Sequence, residues 1–111
     1  MSTAAEELKR LQGLYPAAQA GSCGGVDFAY IPELSVGKSG HKQVVRALLY
    51  PHEENSYDTR LFLQRQVPTT LSHNWVTRVI AGETWWVISF RGVPKTLPWT
   101  EILANHVRAL Q

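Results

Sequence analysis

The stretch WVTRVIAGETWWVISF, residues 75–90, is a β-hairpin by its chemistry. Two runs rich in β-branched and aromatic residues flank a short turn that contains glycine, a combination suited to antiparallel strands joined by a tight loop. The arms are expected at 75–80 and 85–90, with AGET as the turn. On the second arm Trp86, Ile88 and Phe90 share one face, and Trp85, Val87 and Ser89 share the other. The first trio is the expected core face. An antiparallel sheet is thus the centre around which the rest of the chain must fit.

Upstream, three further strands are expected. VDFAYI (26–31) alternates and is closed by Pro32; QVVRALLY (43–50) places Val45, Ala47 and Leu49 on its more apolar face. TRLFLQRQV (59–67) alternates in its second half and ends at Pro68. Small, flexible or polar stretches separate them: AAQAGSCGG (17–25), GKSGHK (37–42) and PHEENSYD (51–58) read as loops.

Helices bound the strands on both sides. Residues 3–15 open with Thr3 and Glu6 at capping-box spacing, so each satisfies the other's orphan backbone donor. Ala4, Leu8, Leu11 and Tyr15 follow at helical spacing, and Pro16 ends the run. Residues 97–110 carry Trp99, Ile102, Leu103, His106, Val107 and Leu110 on one face, with Thr96 as the expected cap and Pro98 in the first turn. The expected class is α+β: an N-terminal helix, a four- to five-stranded antiparallel meander and a C-terminal helix, in one domain over residues 1–111.

Composition narrows the functions. A 111-residue chain with 44% hydrophobic residues can bury a core without disulfides. Its net charge of +2 comes from basic residues interleaved with acidic ones, not from the clustered basic stripe that marks nucleic-acid binders. Apolar runs are too short to cross a bilayer, and the first residues lack the apolar core of a secretory signal. No nucleic acid, no membrane and a cytoplasmic location are the expectations. The single cysteine fits a reducing compartment.

Candidate chemistry is sparse. Cys23 is the one thiol nucleophile available, and it sits in a Gly-rich loop with no charged residue within three positions, whereas an activated thiol needs an electropositive setting. His41, His52, His73 and His106 lack metal-ligand spacing, so no metal is expected; nor is a cofactor, since phosphate-cradling motifs are absent. His106, on the apolar helix face, reads as a hydrogen-bonded packing histidine. Glu53 and Glu54 read as solvated turn residues. With helices on one sheet face only, the other face is left for solvent or a partner. Trp75, Trp85, Arg60, Arg78 and Arg91 are the candidate partner-binding residues, because tryptophan and arginine dominate interface hot spots. Ordinary cross-strand pairing is the alternative account of the same residues.

Leu11, Leu14, Tyr15 and Pro16 resemble the Leu-x-x-(Ile/Leu)-Tyr-Pro signature that ends the first helix of RWD domains, which share the fold of ubiquitin-conjugating (E2) enzymes. LLYPHEENSYDTRLFL (48–63) is similar to the segment between two E2 strands: Pro51 matches its first proline, although Asp58 follows Tyr57 where the family has proline. The tail, with Trp85 or Trp86, Ser89 and ILANHVRAL, resembles bacterial E2-like proteins associated with ubiquitin-like, E1-like and JAB-type proteins. Neither SHNW (72–75) nor RGVPKTLPW (91–99) holds a cysteine where an E2 carries its catalytic one. The resemblance implies a non-catalytic adaptor in a ubiquitin-like modification or defence system. Two rivals stay open: an E2-like thioester carrier using Cys23, and a small immunity or inhibitor protein that binds one partner. A homodimer paired through uncovered strand edges is a further expectation.

Overall fold

The computed structural model describes residues 3–111. Helix α1 (Ala4–Leu14) is followed by six strands, β1 (Gln19–Cys23), β2 (Val26–Val36), β3 (Gln43–Tyr50), β4 (Arg60–Leu63), β5 (Trp75–Ile80) and β6 (Glu83–Ile88), and then by helix α2 (Trp99–Ala109). All strand pairs are antiparallel, in the spatial order β1-β2-β3-β4-β6-β5. The α+β class and both helices are as expected; the sheet has six strands, not four or five.

The additional strand comes from residues expected to be a loop. β1 lies in the Ala- and Gly-rich stretch and pairs with β2 through Gln19↔Tyr30 to Cys23↔Val26. Gly21 makes this pairing feasible, because a Cβ there would fall 2.4 Å from the Phe28 ring, which lies across the glycine. β2 also runs past its expected end: the register shifts between Ile31 and Leu34, so Pro32 sits in a bulge where its missing N–H breaks no ladder bond. β4 is shorter than expected, at Arg60–Leu63.

Both helices cover one sheet face. Leu11 of α1, Ile102 and Leu103 of α2 and its C-cap Leu110 join Ala29, Ile31, Val45, Ala47, Leu49, Leu61 and Leu63 in one buried cluster. The alternation of Val45, Ala47 and Leu49 is as expected. The capping box of α1 forms: Glu6 N donates to Thr3 Oγ1 at 3.1 Å and Thr3 N donates to Glu6 Oε1 at 3.2 Å.

The cap of α2 differs from expectation. Pro98, not Thr96, is the N-cap residue, and it has no side-chain cap bond. The orphan N–H of Trp99 donates instead to Glu7 Oε1 of α1 at 3.1 Å. A carboxylate at this helix N-terminus answers both a free donor and the positive end of the helix dipole. Glu7 is correspondingly buried, 9% exposed, although it belongs to a first turn that would otherwise face water.

Candidate functional site

The second sheet face carries no helix, yet its centre is dry. Phe28, Leu48, Tyr50, Phe62, Trp85 and Val87 form a second buried cluster. Tyr50 holds it together, stacked on Phe28 at 5.4 Å between ring centroids and edge-on to Phe62 at 4.9 Å. The expectation of an open aromatic face is therefore corrected: the aromatics cover one another.

The faces of the second arm are as expected, but the burial of its two tryptophans is not. Leu63 pairs with Trp86, which puts Trp86 and Ile88 on the helix side and Trp85 and Val87 on the second face. Trp85, offered as an interface residue, is 3% exposed, and Trp86, expected in the core, is half-buried. Arg46 lies over the Trp85 ring at 5.3 Å and pairs with Glu83, so a guanidinium–carboxylate pair roofs the indole. Trp85→Ala is expected to lower stability by about 3–5 kcal/mol. Urea unfolding checks this, and Trp86→Ala serves as the milder comparison. Trp75 is half-buried on the opposite, helix-covered side. It shares no surface with the arginines.

The three candidate arginines do converge. Residues 51–58, expected to be a plain loop, contain a miniature hairpin: Glu54 N donates to Tyr57 O at 2.8 Å and Tyr57 N to Glu54 O at 2.9 Å. Asn55 (φ 49°) and Ser56 (φ 71°) form its turn, with positive φ at both central positions as a primed turn requires. A serine there is strained, and the surrounding arginines hold the turn in place. Arg60 Nη1 donates to Glu54 Oε2 at 3.1 Å, Arg78 Nε to Glu54 Oε1 at 3.3 Å, and Arg91 Nη1 to Ser56 O at 2.7 Å. The Tyr57 ring receives two of these cations, Arg60 at 3.9 Å and Arg91 at 4.3 Å from its centroid.

Electrostatics follow from that geometry. The Tyr57 phenol is held below its ordinary value, first by a hydrogen bond with Ser89 and then by the charges of Arg91, Arg60 and Arg78. Burial pulls the Arg60 guanidinium below its usual value, opposed by Glu54 and Tyr57. Arg60 is 1% exposed, its Nη2 donates to Ile88 O at 3.4 Å, and its Nε has no partner. As an interface residue it is thus corrected: it lies beneath the miniature hairpin and orients Glu54 and Tyr57, while Arg78 and Arg91 reach the surface. Beside Arg91 a cleft of about 230 Å³ is lined by Ser56, Asp58, Gly92, Val93 and Pro94.

Glu54, expected to be a solvated turn residue like Glu53, is corrected: it is the shared anion of Arg60 and Arg78, and its side chain is largely covered. The i, i+3 spacing around Asn-Ser was the available signal for a two-residue hairpin. Cys23 ends β1, half-buried against the aromatic cluster of the second face. Among the described residues no group of three or more His, Cys, Asp or Glu could hold a metal. His106 packs as expected: its Nε2 lies 2.8 Å from Thr59 Oγ1, which donates its one proton to Val93 O at 2.9 Å. His106 Nε2 must therefore carry the proton of that bond. Among the described residues no helix is long and apolar enough to cross a membrane. No protein family, curated protein or solved structure matches the chain.

Proposed function

We propose that the chain is an E2/RWD-like protein-interaction module without covalent chemistry, serving as a cytoplasmic adaptor in a bacterial ubiquitin-like modification or defence system. The observation that carries this reading is the cluster of three guanidiniums at the Glu54–Tyr57 hairpin: Arg60 and Arg78 share the Glu54 carboxylate, and Arg60 and Arg91 lie over the Tyr57 ring. A buried arginine fixes the tyrosine and its hairpin, and two outer arginines stand ready for a partner. This is the pairing of rigid aromatic and cation found at interface hot spots. The E2/RWD part is supported by the Tyr15-Pro16 pair directly after α1 and by the sequential order β1-β2-β3-β4. The hairpin β5–β6, inserted with β6 beside β4, departs from the simple four-strand pattern of the resembled family.

The test is a pull-down of a ubiquitin-like protein, an E1-like enzyme and a JAB-type peptidase, with ATP present, by wild type, Arg78→Glu/Arg91→Glu and Cys23→Ser. One partner held by wild type and by Cys23→Ser, and lost from the arginine variant, is the expected result. A thiol-sensitive adduct that disappears in Cys23→Ser would overturn the reading in favour of a thioester carrier.

A further inference from the structure

We infer that β5 takes up an extended, acidic strand of a partner protein, which adds to the sheet at its free edge and sets a carboxylate on Arg78; the inference rests on the reading of the chain as a binding module. β5 closes the sheet on one side, since the strand order ends β6-β5. Its register with β6 runs unbroken from Trp75↔Ile88 to Ile80↔Glu83. Ala81 and Gly82 join the two strands as a two-residue loop with positive φ at both positions, so Ile80 and Glu83 form the hydrogen-bonded pair next to the turn. The even-numbered residues therefore bond to β6, and Trp75, Thr77 and Val79 turn their N–H and C=O groups outward.

That outward row lacks the usual protection. Natural sheets blunt an edge with lysine, proline, a bulge or a covering loop. Here the three outward positions are Trp, Thr and Val, good strand formers, and Val79 is 74% exposed. The other free edge, β1, is QAGSC, short and built of small residues around Gly21. It offers a poorer template.

Charge selects the occupant. Arg78 lies on this edge strand with its Nε on Glu54 and its Nη1 donating to Thr77 O at 2.9 Å. Thr77 O is one of the outward carbonyls. An added strand would supply its own backbone N–H to that carbonyl and release Arg78 Nη1 for a side-chain carboxylate beside it. Arg91, which donates to a backbone carbonyl and to no carboxylate, adds a second cation on the same side. A second copy of β5 fits worse: antiparallel self-pairing about Thr77 or Arg78 brings the two Arg78 side chains diagonal or opposite, where like charges repel.

The probe is a soluble peptide of alternating valine and glutamate, with the valine–lysine peptide as control, titrated into the ¹⁵N-labelled full chain. The expected result is selective shift and slowed exchange of the Thr77 and Val79 amides with the glutamate peptide only. Val79→Pro removes one outward N–H and no ladder bond, and Arg78→Glu reverses the charge; each is expected to weaken the peptide by at least about tenfold, as when an interfacial contact loses one partner. Unchanged dispersion of the remaining amides certifies the fold of both variants. Equal binding of the lysine peptide, no binding of either, or a concentration-dependent dimer closed through β5 each overturns the inference. The pull-down separates this failure from failure of the broader reading. A partner lost on Arg91→Glu but indifferent to Val79→Pro keeps the module and discards the edge.

Discussion

Glu54→Gln is expected to lower the free energy of unfolding by about 3 kcal/mol, the usual cost of removing one partner from a buried ion pair. Glu53→Gln, one position away, should change it by less than about 0.5 kcal/mol, as exposed substitutions do. The asymmetry arises from Arg60, whose side chain is 1% exposed and which cannot shed its proton. With Glu54 replaced by glutamine, a guanidinium that already has an unpartnered Nε loses its one anionic partner, and the single amide oxygen left must serve both Arg60 and Arg78, which the two carboxylate oxygens served separately. The Glu54 side chain is 22% exposed, which places the estimate at the low end of the range for buried pairs, about 3–5 kcal/mol. Equilibrium urea unfolding at pH 7 measures both variants. Equal stability of the two would mean that Arg60 is satisfied without its carboxylate.

The second large effect is a dependence on pH. His106 is held neutral, its pKa lowered to about 4 by burial first and by the Arg60 charge second. In the unfolded chain the same group titrates at about 6.5. Between these values the unfolded state binds the additional proton. Stability is therefore full above about pH 6.5 and is lost as the pH falls toward 4, by on the order of 3 kcal/mol over the window. His106→Gln retains a donor for Thr59 Oγ1 and removes the titration. Its unfolding free energy should fall less steeply from pH 7 to pH 4 than that of wild type, and parallel curves would contradict the assignment. The groups that face the ring, Thr59 and Phe90, do not titrate in this range, so the difference between the two curves isolates the imidazole.

What was legible in the sequence was local. The Thr3–Glu6 box, the β5–β6 hairpin and the apolar stripe of α2 depend on spacings of a few residues, and all three are present. What was not legible required distant partners. β1 looked like a loop because its glycine is useful only beneath Phe28. Trp85 and Trp86 alternate faces in a strand apolar on both sides, and only the Leu63↔Trp86 pairing decides which one meets the helices. Glu54 and Glu53 are indistinguishable as letters; Arg60 and Arg78, six and 24 positions away, separate them. Of the five residues proposed for a partner surface, Arg78 and Arg91 remain on it. Arg60 and Trp85 are buried, and Trp75 lies on the other side.

The bond from Trp99 N to Glu7 joins residues 92 positions apart and sets an order of events during synthesis. Every pairing from β1 to β4 can form as soon as the next strand leaves the ribosome, because each strand lies beside its predecessor. α1 cannot. The face it covers is completed by α2, and the donor that takes up its Glu7 carboxylate is the first residue of that last helix. α1 precedes every strand, yet its packing is completed only when α2 docks: until then its Glu7 carboxylate lacks the Trp99 donor, and Leu8 and Leu11 lack the apolar residues that α2 adds to their cluster. A chain cut before Trp99 would keep all six strands and leave the Glu7 carboxylate and the apolar face of α1 without their α2 partners.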